Sequence, residues 1–430
     1  MRCSTLFIVC LLCAALAPSA FGVTFYGDRW SDQTAALQNV IDTAAADGDT
    51  VIIRGTVRTT DHIYLYGDVS LVGDGTIMLD ANPTYGFYWL NVGGKHYGAT
   101  GSDVVTWTGK IQGITFKATA NVTAAIRMIN VHRCDGASIL DCMFDARYAG
   151  SNEVGAIHCA NNGAFVNPAS KANLHIARNV CRANQNNYGV EGISVGNCAG
   201  LSITDNYVTG FGDDAIAVHA CTDFTVRDNN CYAIDGRILV SNSQRGAITA
   251  NRISRIPDSG GTTYSGGGMI WIELEYAYKP APADLIIANN VLHHAAGLTA
   301  VTYGIRLMGA RRCKVVNNLI LDSSGYGYGV SIEPQYKSGW TDPEGFDNDA
   351  IARARDIDVI GNRATCPTAS GTCNGLMSEG RAGMNPWDGY AEVLPGPMLW
   401  AGNRTGAGGI SVIGPNSEQG YAVSTGGHAN

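Results

Sequence analysis

Three short stretches between Val190 and Val240 repeat one another: E-G-I-S-V from Glu191, D-D-A-I-A-V from Asp213 and D-G-R-I-L-V from Asp235. Aligned on Ile193, Ile216 and Ile238, they stand 23 and 22 residues apart. One strand signal returning at a period of roughly 20 to 50 residues marks a solenoid, in which each repeat is one coil and equivalent residues stack. Neighbouring strands lie about 4.8 Å apart, so equivalent side chains form columns at that spacing. The alignment sets Glu191 beneath Asp214 and Asp213 beneath Asp235. Four carboxylates therefore crowd one patch of one face.

A second repeat runs alongside the first, with an apolar residue at alternate positions followed by Asn three residues later. It reads Leu174/Ile176/Asn179, Leu201/Ile203/Asn206, Phe224/Val226/Asn229, Leu285/Ile287/Asn290, Cys313/Val315/Asn318 and Ile357/Val359/Asn362, and less cleanly Ile248/Asn251. Asn tolerates left-handed backbone and can hydrogen-bond to a copy of itself one coil away, so this column is expected at a tight structural corner. Successive corner asparagines are separated by 27, 23, 22, 39, 28 and 44 residues. Such variation places loops on one face, where solenoids commonly bind ligands. The two long intervals hold Tyr264, Trp271, Tyr276 and Tyr278, then Tyr326, Tyr328, Tyr336 and Trp340. These aromatics serve either to stack sugar rings or to pack the insertions onto the solenoid.

Before the coils, residues 32–41 place apolar side chains at helical spacing, with Ser31 or Asp32 as N-cap and Asp47-Gly48-Asp49 as the stop. A helix cannot continue a β-solenoid, so it is expected to cover the open strand edges of the first coil. The first 22 residues combine Arg2, an apolar run from Leu6 to Leu16 and the small-residue end Ala20-Phe21-Gly22. They read as a signal peptide, too short in its apolar run to span a bilayer, and imply secretion to an extracellular or periplasmic space. The remainder, 23–430, reads as a single domain: a cap over about 23–55, coils over about 56–413 and an irregular tail over about 414–430.

Twenty-nine basic residues oppose 37 acidic ones, for a net charge of -8. This balance argues against nucleic acid or an anionic membrane as partner and leaves a polysaccharide or oligosaccharide open; the oligomeric state is not readable. Of 13 cysteines, Cys3, Cys10 and Cys13 lie in the leader. Cys366 and Cys373 suit a local disulfide in an oxidising compartment, whereas Cys159, Cys181 and Cys231 occupy apolar repeat positions as small core residues.

Like charges one strand spacing apart repel and raise each other's pKa, so a stack of acids calls for a chemical reason. Glycoside hydrolysis needs one protonated carboxyl and one carboxylate, about 5 Å apart for retention and roughly 6.5 to 9.5 Å for inversion. Stacked and diagonal pairs in a solenoid reach both ranges. No metal-spaced His set, Cys-x-x-Cys pair or phosphate-binding Gly loop is present, so no cofactor is implied by motif.

The segment Gly212-Asp213-Asp214-Ala215-Ile216-Ala217-Val218 resembles the D-D-x-I-A-I segment of polygalacturonase-type glycoside hydrolases, members of the pectin lyase-like superfamily. That resemblance implies an all-β, right-handed parallel β-helix with an N-terminal capping α-helix, and hydrolysis with inversion. It covers about half of the chain. The family's third catalytic Asp falls one coil earlier, where this chain has Glu191. By that likeness Asp213, Asp214, Asp235 and Glu191 are the catalytic candidates, with Asp214 as general acid and Asp213 activating water with Glu191 or Asp235. The family's G-H-G is replaced here by Asp235-Gly236-Arg237, and its uronate-gripping Arg and Lys by Trp271 and Glu273. Arg306, one coil further, could supply a cation. Arg237, Trp271, Glu273, Arg306 and His219 are thus the substrate-binding candidates, while His158 and His219 otherwise read as surface histidines of the same face.

Two other readings share these residues. In a polysaccharide lyase or epimerase acting on a uronate glycan, the acids would bind Ca²⁺ and Arg237, Arg245 or Arg306 would take the proton. In a non-catalytic β-helix the same face would only bind glycan. Asp213 and Asp214 are chain neighbours whose side chains point to opposite sides of an extended strand, so both join one site only if the backbone bends there.

Overall fold

The computed structural model describes residues 22–84, 88–95, 103–151, 153–159, 171–187, 190–233, 237–255, 268–295, 302–322, 327–333, 335–345 and 351–365. It also describes short strands at 398–401, 404–405 and 422–423. Asp235, Tyr264, Tyr326, Cys366 and Cys373, with the aligned partner expected for Asp213, lie outside the described residues.

Strands of two to ten residues make up almost all of the regular structure, because the sequence alternates apolar and polar residues between Gly, Asn and Asp corners. They assemble into a narrow sheet of ten strands, a wide sheet of 28 and one antiparallel pair, Gln335–Tyr336 with Ile351–Ala352, and the pairings between coils are parallel. In the narrow sheet Ile157, Ile193, Ile216, Ile238, Ile270, Ile305 and Val330 are successive register partners, all buried. The alignment of the repeats on their isoleucines is therefore the register of the coils. The β-branched side chains stack on one another down the interior, where burial of apolar area supplies most of the drive to fold.

At the wide-sheet corner the asparagines form an unbroken ladder. Asn179, Asn206, Asn229, Asn251, Asn290 and Asn318 each donate from Nδ2 to the Oδ1 of the next, at 2.8 to 3.0 Å, ending on Asn362. The same Oδ1 also accepts the backbone N–H of the preceding Asn, as from Asn206 to Asn229 at 3.0 Å. All seven are buried, so the ladder satisfies side-chain and main-chain groups that water cannot reach. The left-handed residue is the one before each Asn: Arg178, Asp205, Asp228, Ala250, Asn289, Asn317 and Gly361 have φ between 55 and 66°. The Asn serves the corner by its hydrogen bonds and leaves the strained backbone to its neighbour.

A second left-handed column at another corner reads Asp223, Arg245, Asp284, Arg312 and Asp356, with φ of 51 to 57°. These five are register equivalents on successive coils, so opposite charges alternate along the solenoid. Arg245 grips Asp223 at 2.8 and 2.9 Å, and Arg312 grips Asp284 at 2.7 and 3.1 Å.

The one helix among the described residues, α1 (Thr34–Asp47), buries Leu37, Ile41 and Ala44 against the first coil. Asp32 accepts the Thr34 N–H at 3.0 Å, and Gly48 closes the helix in the left-handed conformation with φ of 72°. No helix among the described residues is long and apolar enough to cross a membrane. Eight described cysteines, including Cys159, Cys181 and Cys231, are buried and unpaired, as core positions require. Within the stretch expected to be an irregular tail, Ala422–Val423 adds a strand beside Leu399–Trp400.

Candidate active site

The outward residues of the narrow sheet carry the chemistry. Between the strands Asp214–His219 and Arg237–Ser241 the register slips by one residue, because Asp214 pairs with Arg237 whereas Ile216 pairs with Ile238. This bulge supplies the bend that two neighbouring aspartates need to serve one site. Arg237 donates from Nη2 to Asp213 at 2.5 Å and from Nε to Asp214. Glu191 aligns with Asp214 in the coil register, as the repeat predicts, whereas the stack expected between Asp213 and Asp235 falls outside the described residues; on the next coil the partner of Asp214 is the guanidinium-bearing Arg237.

The two aspartates have different surroundings. The side chain of Asp214 is 3% exposed and that of Asp213 is 34% exposed. Burial pushes the Asp214 carboxyl well above the usual range; Arg237 pulls it down, while the charges of Asp213 and Glu191 push it further up. One cation facing two acids leaves a negative charge over, and burial favours the neutral form of Asp214. Glu191 lies alongside: the Gly192 N–H donates to the Asp214 carbonyl at 2.9 Å, and Arg127 reaches the Glu191 carboxylate at 3.5 Å.

Two residues beyond Arg237 on the same strand, another outward column runs through Ala217, Leu239, Trp271, Arg306 and Ser331. Arg237 and Arg306 lie 5.0 and 5.2 Å from the centroid of the Trp271 ring. Trp271 thus meets two guanidinium groups, that of its register partner Arg306 and that of Arg237 from the preceding coil, in cation–π contacts. Arg306 in turn makes two hydrogen bonds to Glu333, at 2.9 and 2.7 Å. The cation expected to grip a substrate carboxylate is paired with a carboxylate of the protein.

The parallel outward column holds His219, Ser241 and Glu273, which are register partners. His219 Nδ1 lies 2.7 Å from Ser241 Oγ and 3.1 Å from Glu275 Oε2. His219 and His158 are both buried, contrary to the surface reading; His158 stacks on Tyr88 with centroids 5.7 Å apart. The insertion that begins after Glu273 covers His219 through Glu275 and Tyr276. Burial and the nearby Glu275 raise the Glu273 carboxyl above its ordinary value. For Glu275, burial acts upward, but hydrogen bonds from His219, Ser241 and Tyr276 bring it below. Two carboxylates two residues apart are held in opposite protonation tendencies, the arrangement acid/base chemistry uses.

Insertion residues 274–282 form a built wall. Asn242, itself left-handed with φ of 49°, accepts the backbone N–H groups of Glu275 and Tyr276 and donates to the Tyr276 and Pro280 carbonyls. Leu274, Ala281, Trp340 and Ala352 make a small second core, and the Trp340 Nε1 donates to the Lys279 carbonyl. Arg311 and Asp342, both buried, join the second insertion to the solenoid through paired contacts of 2.8 Å. Of the insertion aromatics described, Trp340 is packing, whereas Tyr278 presents a ring that is 64% exposed beside Tyr276.

Sequence reasoning did not single out Glu275, Arg127, Glu333 or Asn242. Glu275 was visible as the continuation of the period-two run Ile270-Trp271-Ile272-Glu273-Leu274-Glu275, and Arg127 as the outward residue of Ile126-Arg127-Met128. Nothing in the sequence couples Glu333 to Arg306, which are 27 residues apart.

A profile of the right-handed beta helix region matches residues 156–335. The chain is a right-handed parallel β-helix. No curated protein sequence matches it. Among solved structures this β-helix is similar to the Dettilon tailspike protein, with 13% identity, a TM-score of 0.58, and 91% of this chain and 69% of that one covered. The catalytic domain of a GH87 alpha-1,3-glucanase in complex with tetrasaccharides superposes at a TM-score of 0.55 with 11% identity, covering 96% and 70%. DFA-IIIase from Arthrobacter chlorophenolicus A6, solved with GF2, gives 0.50 and 12%, covering 75% and 97%. At such identities the likeness is one of fold.

Proposed function

We propose that this β-helix is a secreted glycoside hydrolase that cleaves a polysaccharide on the outward face of its narrow sheet. The observation that carries the reading is the bulge at Asp214: it brings two aspartates to one guanidinium, one buried with its carboxyl pushed well above the usual range by burial, the other 34% exposed. Asp214 is the general acid that protonates the leaving oxygen. Asp213, with Glu191, orients and deprotonates the water. Asp235 is placed with them by the repeat of the sequence. Arg237 holds both aspartates, while Glu273, His219, Trp271 and Arg306 shape and support the same face. Several solved structures of similar fold come from carbohydrate enzymes, which agrees with this reading.

The lyase alternative meets two obstacles. Arg237 occupies the position between the carboxylates where Ca²⁺ would sit, and among the described residues no group of three or more acidic, His or Cys side chains is arranged to hold a metal. Arg306 is paired with Glu333, and Arg245 lies in the corner ladder rather than on this face. The test is product analysis on neutral and uronic polysaccharides with the full chain, D213N and D214N. Hydrolysis yields saturated reducing ends and falls by a factor of roughly 100 or more in either variant. Products that absorb in the ultraviolet from a new double bond, or activity lost on chelation of Ca²⁺, would establish the lyase instead. Equal glycan binding with no products from any of the three proteins would reduce the face to a binding surface.

A further inference from the structure

The acids of the proposed site outnumber its cations, and each guanidinium on the face is matched to a carboxylate of the chain itself. Arg127 faces Glu191, Arg237 holds Asp213 and Asp214, and Arg306 is clamped to Glu333. Glu273 and Glu275 add two further carboxyls. On the positive side, Lys337 adds an ammonium charge that Glu273 feels, and Lys279 of the wall, beside the Tyr278 ring, donates to Asn197 Oδ1 at 3.0 Å. Six carboxyls thus stand against three guanidinium groups and two lysines.

A sugar bearing carboxylate or sulfate would meet guanidinium groups that are already paired with carboxylates of the protein. To pair with Arg306 it would have to displace Glu333, which is buried and would lose its partner. Leaving a buried charge unpaired costs several kcal/mol, more than one surface contact with a substrate returns.

From this charge pairing, and resting on the hydrolase reading above, we infer that the face takes a polysaccharide of uncharged sugars and rejects uronic and sulfated chains. The chemistry left for such a ligand is hydroxyl recognition by carboxylates and His219, with Tyr278 offering an exposed aromatic ring.

The experiment is calorimetric titration of the full chain carrying D213N with neutral gluco-, galacto- and manno-oligosaccharides and with oligogalacturonate and oligomannuronate of equal length, at low and high salt. The expected result is binding of a neutral chain at least roughly tenfold tighter than any uronate, with little salt dependence, since like-charge juxtaposition costs more than the 1.4 kcal/mol that a factor of ten represents. E333Q, which removes the carboxylate from Arg306, narrows that gap. A uronate that binds as tightly as the best neutral chain overturns the inference, and so does the absence of binding by either class. Turnover is read separately on the unsubstituted protein. Hydrolysis of a uronic chain that disappears in D213N sinks this inference and leaves the hydrolase reading standing; tight neutral binding with no cleavage does the reverse.

Discussion

Arg237 is the in-register neighbour of Asp214 on the next coil, and its guanidinium also reaches Asp213. One cation therefore holds two acids that would otherwise repel. Arg237→Met keeps the apolar stem against Trp271 and removes the charge. We expect a loss of about 3 kcal/mol in urea unfolding at neutral pH, the usual result of breaking a buried pair from one side. In the variant the Asp214 carboxyl, already raised by burial, loses the charge that pulls it down, so the penalty is present above the unfolded value of about 3.9 and fades below it. Unfolding curves at pH 7 and pH 3.5 test this; an equal loss at both would assign the effect to packing.

Asp214 carries a second prediction. Its pKa is raised by burial, and also by the negative charges of Asp213 and Glu191. E191Q and D213N should each lower the midpoint at which the Asp214 carboxyl carbon titrates, read by NMR of the aspartate-labelled protein. No movement in either variant would detach these acids from one another.

The buried histidines set the response to acid. Burial, reinforced by the charges of Arg127, His219, Lys171 and His132, pushes His158 down to about 3, and burial with Lys171 takes His132 down to about 4. A histidine whose folded pKa is depressed contributes stability that is full above its unfolded value, near 6.5, and is lost as pH falls from there toward the folded value. Each can tilt stability by up to about 1.4 kcal/mol per pH unit inside that window. Melting temperature should fall steadily from pH 6.5 to pH 4, and His158→Gln should flatten the fall. A variant as acid-sensitive as the parent would assign the loss to other groups.

The asparagine ladder is a structural prediction independent of function. Asn229 accepts from the backbone and side chain of Asn206 and donates to Asn251 and to the Ile203 and Arg227 carbonyls. Asn229→Ala strands several buried groups at once and should cost about 3 kcal/mol or more. Asn229→Asp, which keeps the acceptors and loses the donors, should also destabilise. A change within 0.5 kcal/mol for the Ala variant would mean that water replaces the side chain.

Periodicity made the scaffold legible. The isoleucine column, the asparagine corner, the capping helix and the buried thiols all follow from residue types that recur at coil spacing. Geometry that breaks the period was not legible. The one-residue slip at Asp214 exists because two side chains and one guanidinium settle a local charge balance, and no spacing rule announces it. The left-handed position falls one residue before each Asn, and although Asp205, Asp228, Asn289, Asn317 and Gly361 are types that enter this conformation readily, Arg178 and Ala250 are not. The insertion was legible as an aromatic-rich interval, but the part of Glu275 in it was not, because that residue is pinned by Asn242 from a different coil. The pairing of Arg306 with Glu333, on strands read as separate repeats, decides the charge of the face and lies beyond any local motif.

The alternating corner of Asp223, Arg245, Asp284, Arg312 and Asp356 bears on how such a chain avoids assembling wrongly. Coils of near-identical pattern could be skipped or inserted without disturbing the apolar interior, since isoleucine stacks on isoleucine either way. Omitting a single inner turn would bring aspartate onto aspartate or arginine onto arginine at the rim. Polarity at this edge thus acts as a parity check, counting turns that the greasy inside cannot tell apart.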